Sequence, residues 1–294
     1  MAIFFKKQSG RKAGLYHCKS SGAWMMSEMN FDFKKEPDFT GILICTDFDG
    51  TLYSHGIAPA NVPAIDYFMK HGGKFTLCSG RDGRLLNGGN LPFTPNAPAA
   101  CMNGGLIYDF QKDAILTRNP MADIYYEILQ DLIDGMELRC ADIVSEKLRI
   151  GFNTADPDDF AHARAQIISP VYKLVAYKAE PSDDWVPEAA KRICSGRANV
   201  LSNSRNCFEL NAPGIDKAYG ARTVKEYTGS KILITVGDCD GDMSMFRIAD
   251  DSFAVGNAIP ELKAISGHVA EATVSEGAFP EIIRAIAYLY GGAE

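Results

Sequence analysis

The sequence predicts an α/β protein with a doubly wound parallel sheet and a second, inserted α+β domain. Three observations lead to this class. Short, continuous apolar runs alternate with helical stretches in two parts of the chain, as parallel strands buried on both faces do. Polar residues are concentrated directly after these runs, where a doubly wound sheet places its functional site. The two parts are separated by about 85 residues in which predicted strands alternate with short helices.

The apolar runs and helical stretches predict the elements of the sheet and of its covering layers. The predicted strands lie at 41–46, 74–78, 99–102, 231–236 and 252–255, and the predicted helices lie at 62–71 and 280–290. The first and second strands are followed by an aspartate pair and a serine, and the third stops at Asn103. Several of the strands therefore carry polar groups to one edge of the sheet.

The middle of the chain predicts the inserted domain. A helix predicted at 121–135 precedes strand candidates at 147–152 and 172–178, and the run 207–211 is expected to return the chain to the core. A chain of 294 residues is long enough for about two domains. We predict a discontinuous α/β core domain at 41–119 and 206–294, a cap domain at 120–205, and an N-terminal extension of unknown role at 1–40.

Composition and charge limit the partners and the location. The chain has 46% hydrophobic and 23% charged residues, and its formal charge of -7 has the wrong sign for binding nucleic acid along a broad face. It contains no apolar window near the roughly 18 residues of a membrane-spanning helix, and its start lacks the order of a secretory signal. We expect a cytoplasmic monomer or small homo-oligomer, without nucleic-acid or membrane partners.

Two aspartates, Asp47 and Asp49, stand one residue apart at the mouth of the first predicted strand. Unpaired charges at a sheet end repel each other and lose hydration, and a bound cation would remove that cost. A turn at Gly50 can direct both carboxylates to one group, so that one is a nucleophile and the other an acid and base. The structural alternative is a plain Asp-Gly turn.

Ser79, Gly80 and Lys217 are candidates for binding an anion. Ser79 and Gly80 follow the second predicted strand, where a hydroxyl and backbone N–H groups can hold phosphate oxygens. Lys217 opens a helical segment and would supply a positive charge against a dianion and the aspartates. Taken alone, a turn serine and a solvated surface lysine are the simpler interpretations of these residues.

The fourth predicted strand ends in three carboxylates at alternate positions, Asp238, Asp240 and Asp242. Oxygen ligands of this kind suit a hard cation such as Mg²⁺. A calcium loop of the EF-hand type is the alternative, but it requires a glutamate at its twelfth position, where this run has Ala249, and it requires flanking helices.

Together, these motifs resemble those of the haloacid dehalogenase (HAD) superfamily, with the Cof-like phosphatase branch as the nearest match. The motifs are Asp47-x-Asp49-Gly-Thr51, Ser79, Lys217 and Gly237-Asp238-x-x-x-Asp242, with Asn103-Gly104-Gly105 and Gly256-Asn257-Ala258 as further similarities. The resemblance spans about residues 41 to 290. It is highly specific for the superfamily and much less specific for the substrate.

The resemblance implies a Rossmann-like core with an inserted α+β cap of the C2B type, and a Mg²⁺-dependent phosphatase. Asp47 would attack phosphorus to form an aspartyl-phosphate, while Asp49 would protonate the leaving alcohol and then activate water. Mg²⁺ would be held by Asp47, the backbone carbonyl of Asp49, and Asp238, with Asp242 binding it directly or orienting Lys217. The implied substrate-binding residues are Ser79, Gly80, Lys217 and Asn103.

The implied substrate is a small phosphorylated metabolite, with a sugar phosphate as the leading candidate. A phosphohexomutase of the phosphomannomutase type is an alternative, because such enzymes share this motif set and cap type. A catalytically inactive binding or regulatory protein with the same fold is a third possibility. The carboxylates and phosphate-binding groups of the motifs are all present, which favours an enzyme.

Overall fold

A computed structural model describes residues 2–4, 15–17, 31–83, 86, 91–182 and 186–294. The strands are β1 (Ala2–Phe4), β2 (Leu15–His17), β3 (Ile42–Thr46), β4 (Lys74–Leu77), β5 (Ala99–Cys101), β6 (Leu106–Asp109), β7 (Ala114–Arg118), β8 (Leu138–Ser145), β9 (Arg149–Asn153), β10 (Val171–Lys178), β11 (Asn199–Ser202), β12 (Cys207–Asn211), β13 (Ile232–Gly237), β14 (Asp251–Ala254) and β15 (His268–Val269). The α-helices are α1 (Asn61–Lys70), α2 (Tyr125–Gly135), α3 (Pro157–Ala165), α4 (Glu188–Cys194), α5 (Lys217–Thr228), α6 (Met243–Ile248), α7 (Pro260–Ile265) and α8 (Phe279–Leu289).

Five parallel strands in the order β15-β14-β13-β3-β4 form what we call the core sheet. From the central pair β3 and β13 the chain steps outward in opposite directions. Because parallel crossovers are right-handed, α1 lies on one face of the sheet and α6 on the other. Every residue of β3 is buried, as its continuous apolar run predicts. The predicted doubly wound α/β class is confirmed.

A separate antiparallel sheet contains β5, β6 and β7. The predicted strand at 99–102 is therefore present as β5, but among the described residues it pairs with the end of β4 through an isolated parallel bridge between Cys78 and Ala100 and does not continue the core sheet. The sequence pattern shows that this apolar run is a strand, but it does not show which strand it pairs with. The result is that Asn103, just beyond β5, lies beside the end of β4.

A third sheet, which we call the insert sheet, is antiparallel with the order β11-β12-β10-β8-β9. One of its faces packs with residues of α2, α3 and α4 into a hydrophobic cluster distinct from that of the core sheet. This arrangement agrees with the α+β character predicted for the inserted region.

The expectation that the run 207–211 returns to the core is wrong. These residues form β12, which pairs with β10 and β11 of the insert sheet, and Leu210 faces Leu174 across the first pairing. Phe208 and Leu210 pack into the cluster of the insert sheet, whereas Glu209 and Asn211 point away from that cluster toward residues near β5. All five residues are buried, so hydrophobicity alone does not assign the strand to a sheet.

The described part of the predicted N-terminal extension includes a short antiparallel pair, β1 and β2. Phe31 and Phe39 are buried in the cluster of the core sheet, and the backbone N–H of Asp38 donates to the carbonyl of Gly291 at 3.0 Å. Residues 31–39 thus pack beside the C-terminal end of the chain. The rest of the predicted extension lies outside the described residues. In the described ranges, no helix combines the length and apolar character needed to cross a bilayer.

The packing of the insert sheet gives a first prediction. Ile143 on β8 is fully buried, whereas Ile168 is 82% exposed. We expect Ile143→Ala to lower the free energy of unfolding by about 2–5 kcal/mol, because it removes buried methyl groups and leaves a cavity. Ile168→Ala makes the same chemical change at the surface and should shift stability by less than about 0.5 kcal/mol. Chemical denaturation measures both, and equal losses would contradict this packing.

Candidate active site

The candidate site lies at the carboxyl edge of the core sheet. Asp47 directly follows β3, and Asp238 directly follows β13, the neighbouring parallel strand. The backbone N–H of Asp47 donates to the carbonyl of Val236 at 2.8 Å, so the pairing of the two strands continues up to the aspartate. The strand order reverses between β3 and β13, which is where open α/β sheets form a crevice. The strand pairing thus brings two predicted carboxylates together.

Lys217 is held between two of these carboxylates. Its ammonium group donates to Oδ1 of Asp47 and to Oδ1 of Asp242, both at 2.7 Å. Lys217 is the first residue of α5, and the Asp216 side chain caps that helix by accepting from the N–H of Tyr219 at 2.8 Å. Burial lowers the pKa of Lys217, but Asp242 and Asp47 outweigh burial and raise it well above its ordinary value.

Asp242 is completely buried and holds the loop after β13 together. Its Oδ2 accepts hydrogen bonds from the backbone N–H groups of Asp238, at 2.9 Å, and Cys239, at 3.1 Å. A Cβ at Gly237 would lie 2.6 Å from Oδ2 of Asp242, so this approach requires glycine. Asp242, rather than Asp240, thus belongs to the described carboxylate cluster.

Four side chains could hold a metal ion. The potential ligand atoms of Asp47, Asp238, Cys239 and Asp242 all lie within 4.8 Å of one another. Burial, followed by repulsion from Asp242, raises the pKa of Asp47 well above its ordinary value and that of Asp238 to about 6. Burial also raises the pKa of the Cys239 thiol. Three carboxylates against one ammonium group suit a divalent cation that prefers oxygen.

Gly50 and Thr51 position Asp238. The Thr51 hydroxyl donates to Oδ1 of Asp238 at 2.8 Å. Gly50 has φ +82°, and a Cβ at this position would lie 2.5 Å from Oδ2 of Asp238, so both its conformation and its contact require glycine. The residues after the aspartate pair therefore bring the two predicted metal-binding segments into contact.

Asp49 lies apart from the other carboxylates. Its side chain is 54% exposed and accepts two hydrogen bonds from Arg81, at 2.8 Å from Nε and 2.6 Å from Nη2. The Arg81 guanidinium also lies 4.9 Å from the ring centre of Phe48 and 5.3 Å from that of Tyr53. The predicted metal ligand at this position is the backbone carbonyl of Asp49, which remains a prediction. No role for Arg81 is predicted from the sequence, although its place after Ser79 and Gly80 is a possible signal.

Ser79, Gly80 and Asn103 line the same cavity as the carboxylates. The Ser79 hydroxyl oxygen accepts from the backbone N–H of Arg81 at 3.1 Å, and the carbonyl of Ser79 accepts from the backbone N–H of Asn103 at 2.9 Å. The side-chain NH₂ of Asn103 donates to Glu209 at 2.6 Å and to Asn211 at 3.1 Å. Asn103 therefore directs its amide donors to the protein, and its predicted contact with substrate remains a prediction.

The cavity has a volume of about 820 Å³ and is lined by both the core edge and the insert sheet. Lys173 and Glu209, which are not among the site residues predicted from the sequence, line it and form an ion pair at 2.8 Å. Burial raises the pKa of Glu209, but Lys173 and neighbouring amides outweigh burial and leave that pKa below its ordinary value. In the sequence Glu209 is the single charge of β12 and Lys173 is one of two lysines in β10, without a motif to connect them.

The site is thus a cluster of carboxylates and one lysine at the edge of a doubly wound sheet, in a cavity that the insert sheet also lines. Residues 44–282 match the model of the haloacid dehalogenase-like hydrolase family. The match covers most of the chain, so the protein belongs to this family. The predicted superfamily and type of enzyme are thereby confirmed.

Individual relatives agree with this assignment. Phosphoglycolate phosphatase 2 from Saccharolobus solfataricus is 26% identical over 235 residues, which cover 78% of this chain and 86% of that protein. A haloacid dehalogenase-like hydrolase from Bacteroides thetaiotaomicron has a similar structure, with a TM-score of 0.63, 22% identity, and coverage of 83% of this chain and 98% of that chain. A sugar phosphatase of HAD subclass IIB gives a TM-score of 0.61 at 18% identity, covering 84% and 98%. These solved structures therefore share the fold of this chain.

The carboxylate cluster gives a second prediction. We expect magnesium chloride at a hundredfold excess over its Kd to stabilise the protein by about 2.7 kcal/mol, because the folded state alone assembles the site. Asp238→Asn removes the charge of one candidate ligand and should abolish most of this stabilisation. Asp240→Asn makes the same change two residues away, outside the described cluster, and should retain it. Thermal unfolding with and without the salt measures the effect, and an undiminished shift in Asp238→Asn would contradict the assignment.

Proposed function

We propose that the protein is a Mg²⁺-dependent phosphomonoester hydrolase that acts on a small phosphorylated metabolite, such as a sugar phosphate, through an aspartyl-phosphate at Asp47. The observation that carries this proposal is the position of Lys217, whose ammonium group lies 2.7 Å from both Asp47 and Asp242. A fixed positive charge beside the attacking carboxylate neutralises the charge of a transferring phosphoryl group. The family assignment supports the same reaction class.

In the first half of the reaction, an oxygen of Asp47 bonds to phosphorus and the bond from phosphorus to the leaving oxygen breaks. Asp49, in its protonated form, gives its proton to that oxygen, so the alcohol leaves neutral. In the second half, the Asp49 carboxylate takes a proton from water, whose oxygen attacks phosphorus and frees Asp47. The exposed carboxylate of Asp49 lines the cavity, where the leaving group would lie.

The phosphoryl oxygens would be bound by groups that line the cavity beside Asp47. The Ser79 hydroxyl, the Gly80 N–H and the Lys217 ammonium group are the candidates, and they line the same cavity as Asp47 and Asp49. These donors belong to two separate segments, the loop at Ser79 and Gly80 and the start of α5, which the fold assembles before substrate arrives. Such an arrangement is the basis of electrostatic preorganisation.

The side chains of Asp47 and Asp238 and the backbone carbonyl of Asp49 would hold Mg²⁺, whose charge would offset that of the phosphoryl group. The donor set fits this ion because its anionic members are carboxylates that only one ammonium group balances. Asp242 accepts hydrogen bonds from two backbone N–H groups as well as from Lys217, which supports a role in orienting Lys217.

We also propose that the insert sheet belongs to a cap domain that selects the substrate. The pairing of β12 moves the proposed end of this domain from residue 205 to just beyond Asn211. The cavity of about 820 Å³ has the size of small-molecule sites, and residues of the insert such as Lys147 and Asn203 line it. Among the similar proteins are a phosphoglycolate phosphatase and a sugar phosphatase, whose names support a small phosphorylated compound as the substrate of this protein.

Rapid mixing with p-nitrophenyl phosphate and Mg²⁺ tests the two aspartate roles separately. Asp47→Asn should release no burst of nitrophenolate and have no turnover above background, because the nucleophile is absent. Asp49→Asn should release a burst close to one equivalent per site, since nitrophenolate leaves without an acid, and then turn over about 10²–10⁴-fold more slowly than the native protein.

Asp240→Asn serves as the matched control and should behave as the native protein does. A native protein inactive on all phosphomonoesters tested, including sugar phosphates, would replace the proposed hydrolase with a binding protein. A full burst in Asp47→Asn would show instead that another residue is the nucleophile.

A further inference from the structure

A buried polar network joins the insert sheet to the loop that contains Ser79 and Gly80. Lys173 on β10 and Glu209 on β12 are 5% and 6% exposed, and their charged groups lie 2.8 Å apart. The Lys173 ammonium group also donates to the backbone carbonyl of Gly80 at 2.9 Å. A lysine of the insert therefore holds the backbone of a loop that lies at the end of the core strand β4.

Asn103 completes this network from the side of β5. Its side chain donates to Oε2 of Glu209 at 2.6 Å, and its backbone N–H donates to the carbonyl of Ser79 at 2.9 Å. Met102 and Asn103 both have positive φ, of 50° and 58°, a conformation that asparagine tolerates and methionine rarely adopts. Asn211 of β12 donates to the carbonyl of Met102 at 2.9 Å and helps to hold this conformation.

These contacts determine the orientation of two successive peptide groups. A peptide group is planar, so a hydrogen bond to its carbonyl also sets the direction of its N–H. The bond from Asn103 to the Ser79 carbonyl thereby sets the direction of the Gly80 N–H. The bond from Lys173 to the Gly80 carbonyl sets the direction of the Arg81 N–H, which donates to the Ser79 hydroxyl oxygen at 3.1 Å.

Stability alone does not explain the ion pair between Lys173 and Glu209. Moving both charges out of water is costly, and packed apolar side chains of similar volume often stabilise a protein as well or better. The pair lies directly against the loop, since a Cβ at Gly80 would be 3.5 Å from both Lys173 Nζ and Glu209 Oε2, and 3.2 Å from Asn103 Oδ1. Its position indicates that its effect is on the conformation of the loop.

We propose that Lys173 and Glu209 are positioning residues, through which the inserted domain orients the Ser79 hydroxyl and Gly80 N–H for phosphoryl binding. The consequence for catalysis rests on the proposed function, whereas the effect on the loop does not. Docking of the insert sheet and the geometry of the phosphate-binding loop are thus coupled by one network.

The double variant Lys173→Met/Glu209→Gln tests the coupling, because it removes both charges and avoids an unpaired one. We expect amide hydrogen exchange in residues 79–82 to be at least about tenfold faster than in the native protein, as local opening becomes easier. We expect kcat for p-nitrophenyl phosphate to fall on the order of 10–100-fold, because a misplaced loop weakens transition-state binding.

Arg118→Met/Glu146→Gln is the matched control. This ion pair, at 2.8 Å, connects β7 to the insert and is more exposed than that of Lys173 and Glu209. The control should leave kcat and the exchange of residues 79–82 within about twofold of the native values, because neither Arg118 nor Glu146 lines the cavity. A purely structural role of Lys173 and Glu209 would lower the unfolding midpoint without selectively changing this exchange or kcat.

The proposal would be overturned if amide hydrogen exchange in residues 79–82 of the Lys173→Met/Glu209→Gln variant were as slow as in the native protein. It would also be overturned if the native protein is an active phosphatase and the variant has the same kcat. A native protein inactive on phosphomonoesters would contradict the proposed function, while the exchange measurement would still decide the effect on the loop. If the double variant does not fold, Lys173→Gln/Glu209→Gln, which also removes both charges and retains hydrogen-bonding groups at both positions, is measured in its place with the same criteria.

Discussion

The candidate site depends on one buried ammonium group, that of Lys217, which binds Asp47 and Asp242 at once. The two aspartates follow neighbouring parallel strands, and α5 brings the lysine to them from a separate part of the chain. Without a positive charge between them, two buried carboxylates would repel each other and lose hydration. The strand pairing, the helix cap at Asp216 and the glycine at 237 all serve this arrangement.

The parts of the site that follow from the sequence are those connected by a general rule of sheet architecture. Asp47, Ser79 and Asp238 each follow an apolar run, and parallel strands place their carboxyl ends at one edge. The order of the motifs then resembles that of a known superfamily, to which the matched family belongs. The fold class, the inserted region and the convergence of Asp47, Lys217, Asp238 and Asp242 were therefore predictable.

The remaining features depend on pairings between distant segments that local patterns do not specify. All five residues of β12 are buried, but two face the hydrophobic cluster of the insert and the others face its junction with the core, so its sheet could not be assigned from hydrophobicity. The role proposed for Lys173 and Glu209 depends on their contacts with each other and with Gly80, which lies far from both in the sequence. Likewise, the contact of Arg81 with Asp49 requires the ends of two strands to be placed side by side.

The central claim is that Asp47 becomes phosphorylated during turnover. Acid quenching during hydrolysis of a substrate with a radiolabelled phosphoryl group, followed by peptide mapping, tests it most directly. We predict label on the peptide that contains Asp47, released by hydroxylamine as expected for an acyl phosphate, and absent from Asp47→Asn. Label on a different residue, or sustained hydrolysis by Asp47→Asn, would contradict the account.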